Sequence, residues 1–249
     1  MTLTRADVVD ALQAYWDRKD LQYRNAKIAH AVGAGTAGSV RGGRQFDPVA
    51  AVLAKPFLEA GYAPDDVRVH GIMALPGFYR PTKDWDLVVT VGGVVAAAFE
   101  LKALGGPSFG NNANNRIEEA LGSSTDIRQA TVDGRFGPEQ PWIGYLLVVE
   151  DHPKSRSPQR RPRPIAAGTH DPVWENRTYQ QRMAIGVERM LALHIYDTAC
   201  VLVSSPEHPD PIEPSPAVDW THFTAAINAR ITYLAELGYP PTGQPLASG

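Results

Sequence analysis

The chain has 249 residues, a formal net charge of −3 and 43% hydrophobic residues, ordinary values for a globular protein with a full core. No apolar run approaches the roughly 20 residues of a membrane helix, and Asp7 and Asp10 interrupt the apolar pattern at the start, unlike a secretory signal. Cys200 is the one cysteine, which excludes an internal disulfide and a cysteine-based zinc site. We expect a cytoplasmic protein without membrane contact. Nucleic-acid binding stays open, because positive charge can collect in one cleft of a mildly acidic protein.

The first part of the chain, residues 1–80, has a mainly helical pattern. Apolar residues recur at helical spacing over 4–30, where Thr4 can cap the helix start. Asp47-Pro48 predicts a second helix that runs to about residue 60 and is disturbed near Pro56. The Gly- and Ser-rich loop between them, 33–43, lacks a following Gly-Lys-Ser/Thr and a preceding strand, so we do not expect it to bind a nucleotide.

Strand and helix patterns alternate in the central part, residues 81–205. Apolar, β-branched runs predict strands at 86–91, 94–103, 142–149 and 199–204, and Gly92-Gly93 predicts a hairpin between the first two. A helical pattern covers 175–197. The last part, 206–249, predicts a proline-rich linker, a helix near 219–236 and a disordered tail. We predict one compact α/β domain with a central mixed β-sheet flanked by helices.

The hairpin carries the strongest chemical signal. Asp86 begins one strand, and Glu100 and Lys102 lie near the end of the next, after a run of small and apolar residues. Residues two apart in a strand point to the same face, and charges late in a buried strand are costly to desolvate. Two carboxylates can bind a hard cation such as Mg²⁺, which activates a water, while an ammonium stabilises developing negative charge. These three residues therefore form a minimal phosphodiesterase site.

The register of the hairpin tests this idea. With a simple two-residue loop, Asp86 would face Phe99, and the two acids would point to opposite sides of the sheet. We therefore predict an odd-length loop or a β-bulge, with a glycine at positive φ. Asp84 has the same parity as Asp86 and is the alternative ligand. The competing interpretation is a buried Glu100–Lys102 pair, with Asp86 capping the strand edge.

The segment after Lys102, residues 105–128, predicts a loop and a helix that begins near Asn112. Ala113, Ile117, Ala120, Leu121 and Ser124 form a packing stripe on this helix. The other side is rich in polar groups. Asparagine is a poor helix former, whereas amides and Arg can read base edges in a DNA groove. We interpret this segment as facing DNA; the alternative is a capped, solvated helix start.

Several segments resemble the XhoI-type restriction endonucleases, a branch of the PD-(D/E)xK superfamily. They are KDWDLVV, FELKAL, GPSFGNNANNRIEEALGS, PWIGYLLVVED and ERMLALHIYDTACVLVSS, in that order. The likeness covers most of the chain and is most specific at 82–126. It implies a PD-(D/E)xK nuclease core and a type II restriction endonuclease. Such an enzyme acts as a homodimer with Mg²⁺, cuts double-stranded DNA at the palindrome CTCGAG and leaves 5′-phosphates. A DNA methyltransferase is expected in the same system, but not as a stable partner.

The resemblance also assigns roles by position. Asp86 and Glu100 become metal ligands together with the backbone carbonyl of Leu101, and Lys102 becomes the base that orients the attacking water. The DNA-facing residues within Ser108–Glu119 are Ser108, Asn111, Asn112, Asn114, Asn115, Arg116 and Glu119.

Other residues are weaker candidates. Arg41 and Arg44 flank the Gly-rich loop and are candidate phosphate contacts, although a solvated role fits each alone. Glu59 is an accessory acid candidate, or a surface charge. The basic, proline-rich loop 153–164 fits either a grip on the DNA backbone or a solvated loop. The histidine spacings match no zinc hydrolase.

Two other functions stay open. One is a repair or recombination nuclease of the same superfamily that recognises DNA structure. The amide-rich helix start argues against it, because structure readers rely more on Lys and Arg. The other is a non-catalytic DNA-binding or regulatory protein that keeps the fold, against which the intact set of two acids and one base speaks.

Overall fold

The computed structural model describes residues 3–31, 45–71, 73–106, 108–160 and 168–241, with residues 25–31 described by their backbone. Its first helix, α1 (Arg5–Ala31), begins where the sequence predicts. Thr4 and Asp7 form reciprocal hydrogen bonds: the Asp7 carboxylate accepts from Thr4 N at 2.8 Å, and the Thr4 hydroxyl accepts from Asp7 N at 3.2 Å. This arrangement satisfies donors that would otherwise lack partners at the helix start.

The second helix, α2 (Asp47–Glu59), contains Pro56 and continues through it to Glu59. It packs against α1, and both helices bury apolar side chains such as Leu12, Leu53 and Phe57. Two short strands follow, β1 (Val67–Arg68) and β2 (Ala74–Pro76), so residues 1–80 also contribute to sheets.

The central sheet has five strands in the order β1-β4-β5-β6-β7. Its other members are β4 (Leu87–Val91), β5 (Val94–Leu104), β6 (Ile143–Glu150) and β7 (Thr198–Ser204). The pairs β1–β4 and β4–β5 are antiparallel, and the pairs β5–β6 and β6–β7 are parallel. The strand β3 (Thr82–Asp84) pairs with β2 in a separate two-stranded sheet. The prediction of an α/β protein with a central mixed sheet is confirmed, in agreement with a nuclease core.

Apolar cores cover both faces of the sheet. On the first face, α1, α2 and the last helix α6 (Trp220–Glu236) pack against residues such as Phe99 and Cys200. On the second face, α3 (Phe109–Val132) and α5 (Tyr179–Ala192) pack against residues such as Ala98 and Leu147. Burial raises the pKa of the Cys200 thiol well above its ordinary value, as expected for an inert core cysteine.

Two helices differ in length from the sequence-based prediction. Helix α3 begins at Phe109 rather than near Asn112, because the buried Phe109 ring anchors its first turn in the second-face core. Helix α5 is shorter than the predicted 175–197. Thr178 and Gln181 cap its start reciprocally, and His194, at φ 53°, lies beyond its end.

The hairpin between β4 and β5 contains the predicted bulge. Gly92 and Gly93 form a two-residue turn with φ values of 53° and 81°, as type I′ turns require. Beyond it, Thr90 pairs with Val95 but Val89 pairs with Ala97, so Ala96 is the extra residue. The shifted register pairs Leu87 with Phe99, and its continuation sets Asp86 opposite Glu100. The bulge prediction, with glycine at positive φ, is confirmed.

Gly144 of β6 fixes the position of Phe99, the residue before Glu100. A Cβ at Gly144 would lie 2.5 Å from two ring carbons of Phe99, a fully buried ring in contact with Phe57, Trp142 and Phe223. We predict that Gly144→Ala lowers the free energy of unfolding by about 1–3 kcal/mol, the usual effect of overpacking a core. Urea denaturation measures it.

Gly137→Ala is the matched control. A Cβ there would lie 3.7 Å from Val94, an ordinary contact, and we expect a change within about 0.5 kcal/mol. Equal urea midpoints for Gly144→Ala and the wild type would contradict the tight packing of Phe99.

Candidate active site

The three residues singled out by the sequence lie on the second face of the sheet. Asp86 and Glu100 follow the second-face core residues Val88 and Ala98 at the two-residue spacing of a strand, and Lys102 follows Glu100 in the same way. The bulge is what produces this arrangement, because without it one of the two acids would face α1 and α2. The structure therefore brings the two acids and the amine to one face.

The centre of the site is the Glu100 carboxylate, whose side chain is only 2% exposed. Its Oε1 contacts the ammonium of Lys102, and its Oε2 contacts the ammonium of Lys83. Lys83 comes from β3, outside the five-stranded sheet, and was not among the residues predicted from the sequence. It also donates to the Asp84 carbonyl at 2.8 Å and lies 4.3 Å from the centre of the Trp85 ring. Two cations therefore neutralise one buried acid.

The Asp86 carboxylate lies against the backbone of β5. Its Oδ2 accepts a hydrogen bond from Leu101 N at 2.7 Å. Burial raises the pKa of Asp86 above its ordinary value of 3.8; the Leu101 hydrogen bond opposes this rise, the negative charge of Glu100 adds to it, and Lys102 and Lys83 oppose it. The two acids therefore repel each other at the point where β4 and β5 meet.

An open pocket of about 360 Å³ lies over this cluster. Its floor includes Glu100 and Lys102 of β5, and its opposite wall is the middle of α3, with Glu119, Gly122 and Ser123. Asp84, the alternative ligand, is exposed and lines the pocket as well. A ligand can thus reach Glu100 and Lys102 from the side of α3, whereas Asp86 lies beside the pocket and does not line it.

Similarity to known proteins extends over most of the chain. The model of the XhoI restriction endonuclease family matches residues 25–211. The chain is 36% identical over 176 residues to the type II restriction enzyme BstVI of Geobacillus stearothermophilus, a match that covers 68% of this chain and 78% of that enzyme. The chain belongs to the XhoI restriction endonuclease family.

Two further relatives of the chain are named type II restriction enzymes. XhoI of Xanthomonas vasicola is 37% identical over 163 residues, covering 64% of this chain and 63% of that enzyme. AbrI of Azospirillum brasilense is 50% identical over 91 residues, covering 36% of this chain and 40% of that enzyme. No solved structure matches the chain.

A third acid, the buried Asp126 of α3, fixes the loop before β3 in this member of the XhoI family. Its carboxylate accepts from Phe78 N and Tyr79 N at 2.8 Å and from Arg80 Nε at 2.7 Å. Burial raises the pKa of Asp126, but the bonds from Arg80, Tyr79 and Phe78 outweigh burial and hold it below the ordinary value. This connection sets Arg80, also missed by the sequence analysis, in the pocket wall.

The predicted DNA-facing residues of α3 lie mostly on its open side. Ser108, Asn111, Asn114, Asn115 and Glu119 are exposed. The alternative interpretation of this segment was a capped, solvated helix start. The Ser108 side chain makes no capping hydrogen bond, so this residue does not cap α3.

Three residues of α3 have contacts or an exposure that the sequence did not predict. Asn112 is half-buried and donates to the Gly105 carbonyl at 3.3 Å, and Arg116 forms an ion pair with Glu119 at 3.0 Å. Leu121 is 37% exposed, so its inclusion in the packing stripe was wrong.

The weaker candidates lie elsewhere. Arg41 and Arg44 fall outside the described residues. Glu59 ends α2, which packs on the first face, and does not line the pocket. The basic segment begins with one helical turn, α4 (Pro153–Arg156), rather than a loop; Arg156 pairs with Asp151 at 2.6 Å.

The donor set at the site fits a hard divalent cation. Within the described ranges, no three His, Cys, Asp or Glu side chains converge on a point where they could hold a metal ion. Asp86 and Glu100 are thus two carboxylates that would need a backbone carbonyl, water or phosphate to complete a shell of oxygen ligands, as Mg²⁺ commonly has.

Among the residues that the structure describes, no helix is long and apolar enough to cross a membrane.

The raised pKa of Asp86 predicts a pH-dependent effect on stability. Below pH 3.8 this carboxyl is protonated in the folded and the unfolded chain alike, but above its raised pKa the buried negative charge destabilises the folded state. We predict that Asp86→Asn, which can still accept from Leu101 N, is more stable than the wild type at pH 7 in the presence of a chelator. The difference should shrink as the pH falls towards 3.8.

Urea midpoints measured between pH 4 and pH 8 test this. Asp65→Asn, at an exposed position, is the control and should follow the wild type. A variant less stable than the wild type at pH 7 would contradict the assigned environment of Asp86.

Proposed function

We propose that the protein is a type II restriction endonuclease that cleaves both strands of the palindrome CTCGAG in the presence of Mg²⁺ and leaves 5′-phosphates. The observation that carries this proposal is that Asp86, Glu100 and Lys102 share one face of the sheet in a chain of the XhoI family, with Glu100 and Lys102 lining an open pocket beside α3. Two relatives named type II restriction enzymes match 64–68% of this chain.

Asp86, Glu100 and the Leu101 carbonyl would hold the Mg²⁺ ion. When bound, such an ion lowers the pKa of a water and offsets charge on the phosphate. Asp86 must be ionised to act as a ligand, so its raised pKa makes binding of the ion depend on pH. The Glu100 carboxylate already has an ammonium partner on each of its two oxygens.

Lys102 is the residue proposed to orient the attacking water. Its ammonium contacts Glu100 Oε1, and its side chain is 23% exposed on the floor of the pocket. From there it can donate a hydrogen bond to the attacking water or to a phosphate oxygen, and it stabilises the negative charge that develops during the reaction.

DNA would lie along the open side of α3. The exposed Asn111 and Asn115 continue the surface that begins at Glu119 in the pocket wall, whereas Asn114 lines a separate pocket between α3 and α5. Amides suit adenine and Arg suits guanine in the major groove. Arg116 must leave its ion pair with Glu119 before it can contact a base.

A homodimer is proposed because a palindrome has two-fold symmetry, and two equal subunits can each cut one strand. The protein would act in the cytoplasm of a prokaryotic cell. A separate DNA methyltransferase would protect the host sites there.

The decisive experiment incubates the purified protein with a plasmid that carries a single CTCGAG site. We predict one linear product with Mg²⁺, no product with chelator, and no cleavage of a plasmid from which the site has been removed. Agarose gels detect the products, and end-labelling identifies the 5′-phosphates. Cleavage of every plasmid, or of branched DNA alone, would instead indicate a structure-directed nuclease. Binding without cleavage would indicate a non-catalytic DNA-binding protein.

Lys102→Ala should separate binding from cleavage. We predict a loss of cleavage rate of about 10²-fold or more, since an amine that orients water and stabilises charge contributes at least that much. Affinity for a duplex with the site, measured by gel retardation in calcium, should stay within about threefold of the wild type, because a single charge adds little to a wide phosphate interface.

Lys55→Ala is the control for loss of one lysine. Lys55 pairs with Asp7 between α1 and α2, and this variant should cleave like the wild type. Normal turnover by Lys102→Ala would remove Lys102 from the mechanism.

A further inference from the structure

Lys83 stands out among the residues around the proposed metal site, because its ammonium has three partners at once. It contacts Glu100 Oε2, donates to the Asp84 carbonyl at 2.8 Å and lies 4.3 Å from the centre of the Trp85 ring. Its side chain is only 12% exposed. A lysine this buried, with carboxylate, carbonyl and aromatic partners, occupies a built cation site.

The contacts with Glu100 leave little room for a third cation. Lys102 covers Oε1 and Lys83 covers Oε2, so both oxygens of this carboxylate have an ammonium partner. Without these partners, a carboxylate that is 2% exposed would be an uncompensated buried charge, which is strongly destabilising. A divalent ion that binds Glu100 must therefore take the place of one ammonium.

Lys83 is the ammonium that can leave with the smaller change in structure. Lys102 belongs to β5, which pairs on both sides with β4 and β6. Lys83 belongs to β3, a three-residue strand whose only described strand partner is β2. Its side chain already lines the open pocket, so its ammonium can turn towards solvent without any change in the central sheet.

We propose that Lys83 is a built-in counter-ion that competes with the divalent metal for Glu100 and leaves this carboxylate when the metal binds. The inference rests on the proposed metal site at Asp86 and Glu100. Lys83 stabilises the metal-free enzyme, and the same contact weakens its affinity for the metal. It is thus a residue that sets metal affinity, distinct from the water-orienting Lys102.

Calcium binding to the full chain without DNA tests this independently of cleavage. We expect Lys83→Met to bind Ca²⁺ about tenfold or more tightly than the wild type in titration calorimetry, since a hydrogen bond between charged groups corresponds to roughly that factor. Lys83→Gln, which also removes the charge but remains polar, should show the same tightening. Circular dichroism checks that the variants fold. In chelator both should melt below the wild type, and calcium should raise their melting temperature by more.

Two further variants separate the possible failures. Lys55→Met removes a lysine that pairs with Asp7, and it should bind calcium like the wild type. Glu100→Gln should abolish calcium binding. If neither the wild type nor the Lys83 variants bind calcium more tightly than Glu100→Gln does, the metal site itself is wrong and the inference falls with it. If the wild type binds through Glu100 but both Lys83 variants bind equally or more weakly, the metal site stands and the competition by Lys83 is overturned.

Discussion

The buried Glu100 carboxylate is the constraint that organises the rest of the site. An acid that is 2% exposed cannot stay ionised without close cations. The chain supplies them from two places: Lys102 from the same strand and Lys83 from β3. The small β2–β3 sheet beside the main one carries the second of these ammonium groups to Glu100. Asp126 of α3 holds the loop before β3, and that loop determines where β3 begins.

Along β5, the residues that face the first side of the sheet stabilise the core, whereas those that face the second side form the proposed site. Phe99 and Leu101 point into the first-face core, where rings and aliphatic side chains leave no space for charge. Glu100 and Lys102 alternate with them on the second face, where α3 stands far enough from the strand to leave the pocket open. The bulge at Ala96 decides which residues face which side. A one-residue shift would bury both charged groups against α1 and α2 and expose Phe99. The local irregularity in β5 is therefore what makes a site possible here.

The sequence predicted the features that depend on neighbouring residues and missed those that depend on distant ones. The strands β4, β5, β6 and β7, the Gly92-Gly93 turn and the bulge followed from periodicity and from the demand that Asp86 and Glu100 share a face. The roles of Lys83 and Arg80 did not, because β3 has three residues and no readable period. Their contacts with Glu100 and Asp126 span 17 and 46 positions. The exposure of Leu121 was missed for a related reason. Helical spacing predicts which way a side chain points from the helix, whereas the number of side chains that become buried depends on the position of the neighbouring helix.

Charge in the pocket explains how a chain of net charge −3 can engage DNA. Of the described residues that line it, Arg80, Lys83 and Lys102 are cationic, and Asp84, Glu100 and Glu119 are anionic, so the lining is neutral. A neutral lining gives phosphate little long-range attraction. A divalent cation held by Asp86 and Glu100 would add positive charge at the floor of this pocket and would attract a phosphate there. The bound phosphate in turn favours retention of the cation. By linkage, each ligand then raises the affinity for the other by the same factor, so a site with modest metal affinity alone would become occupied where DNA is present.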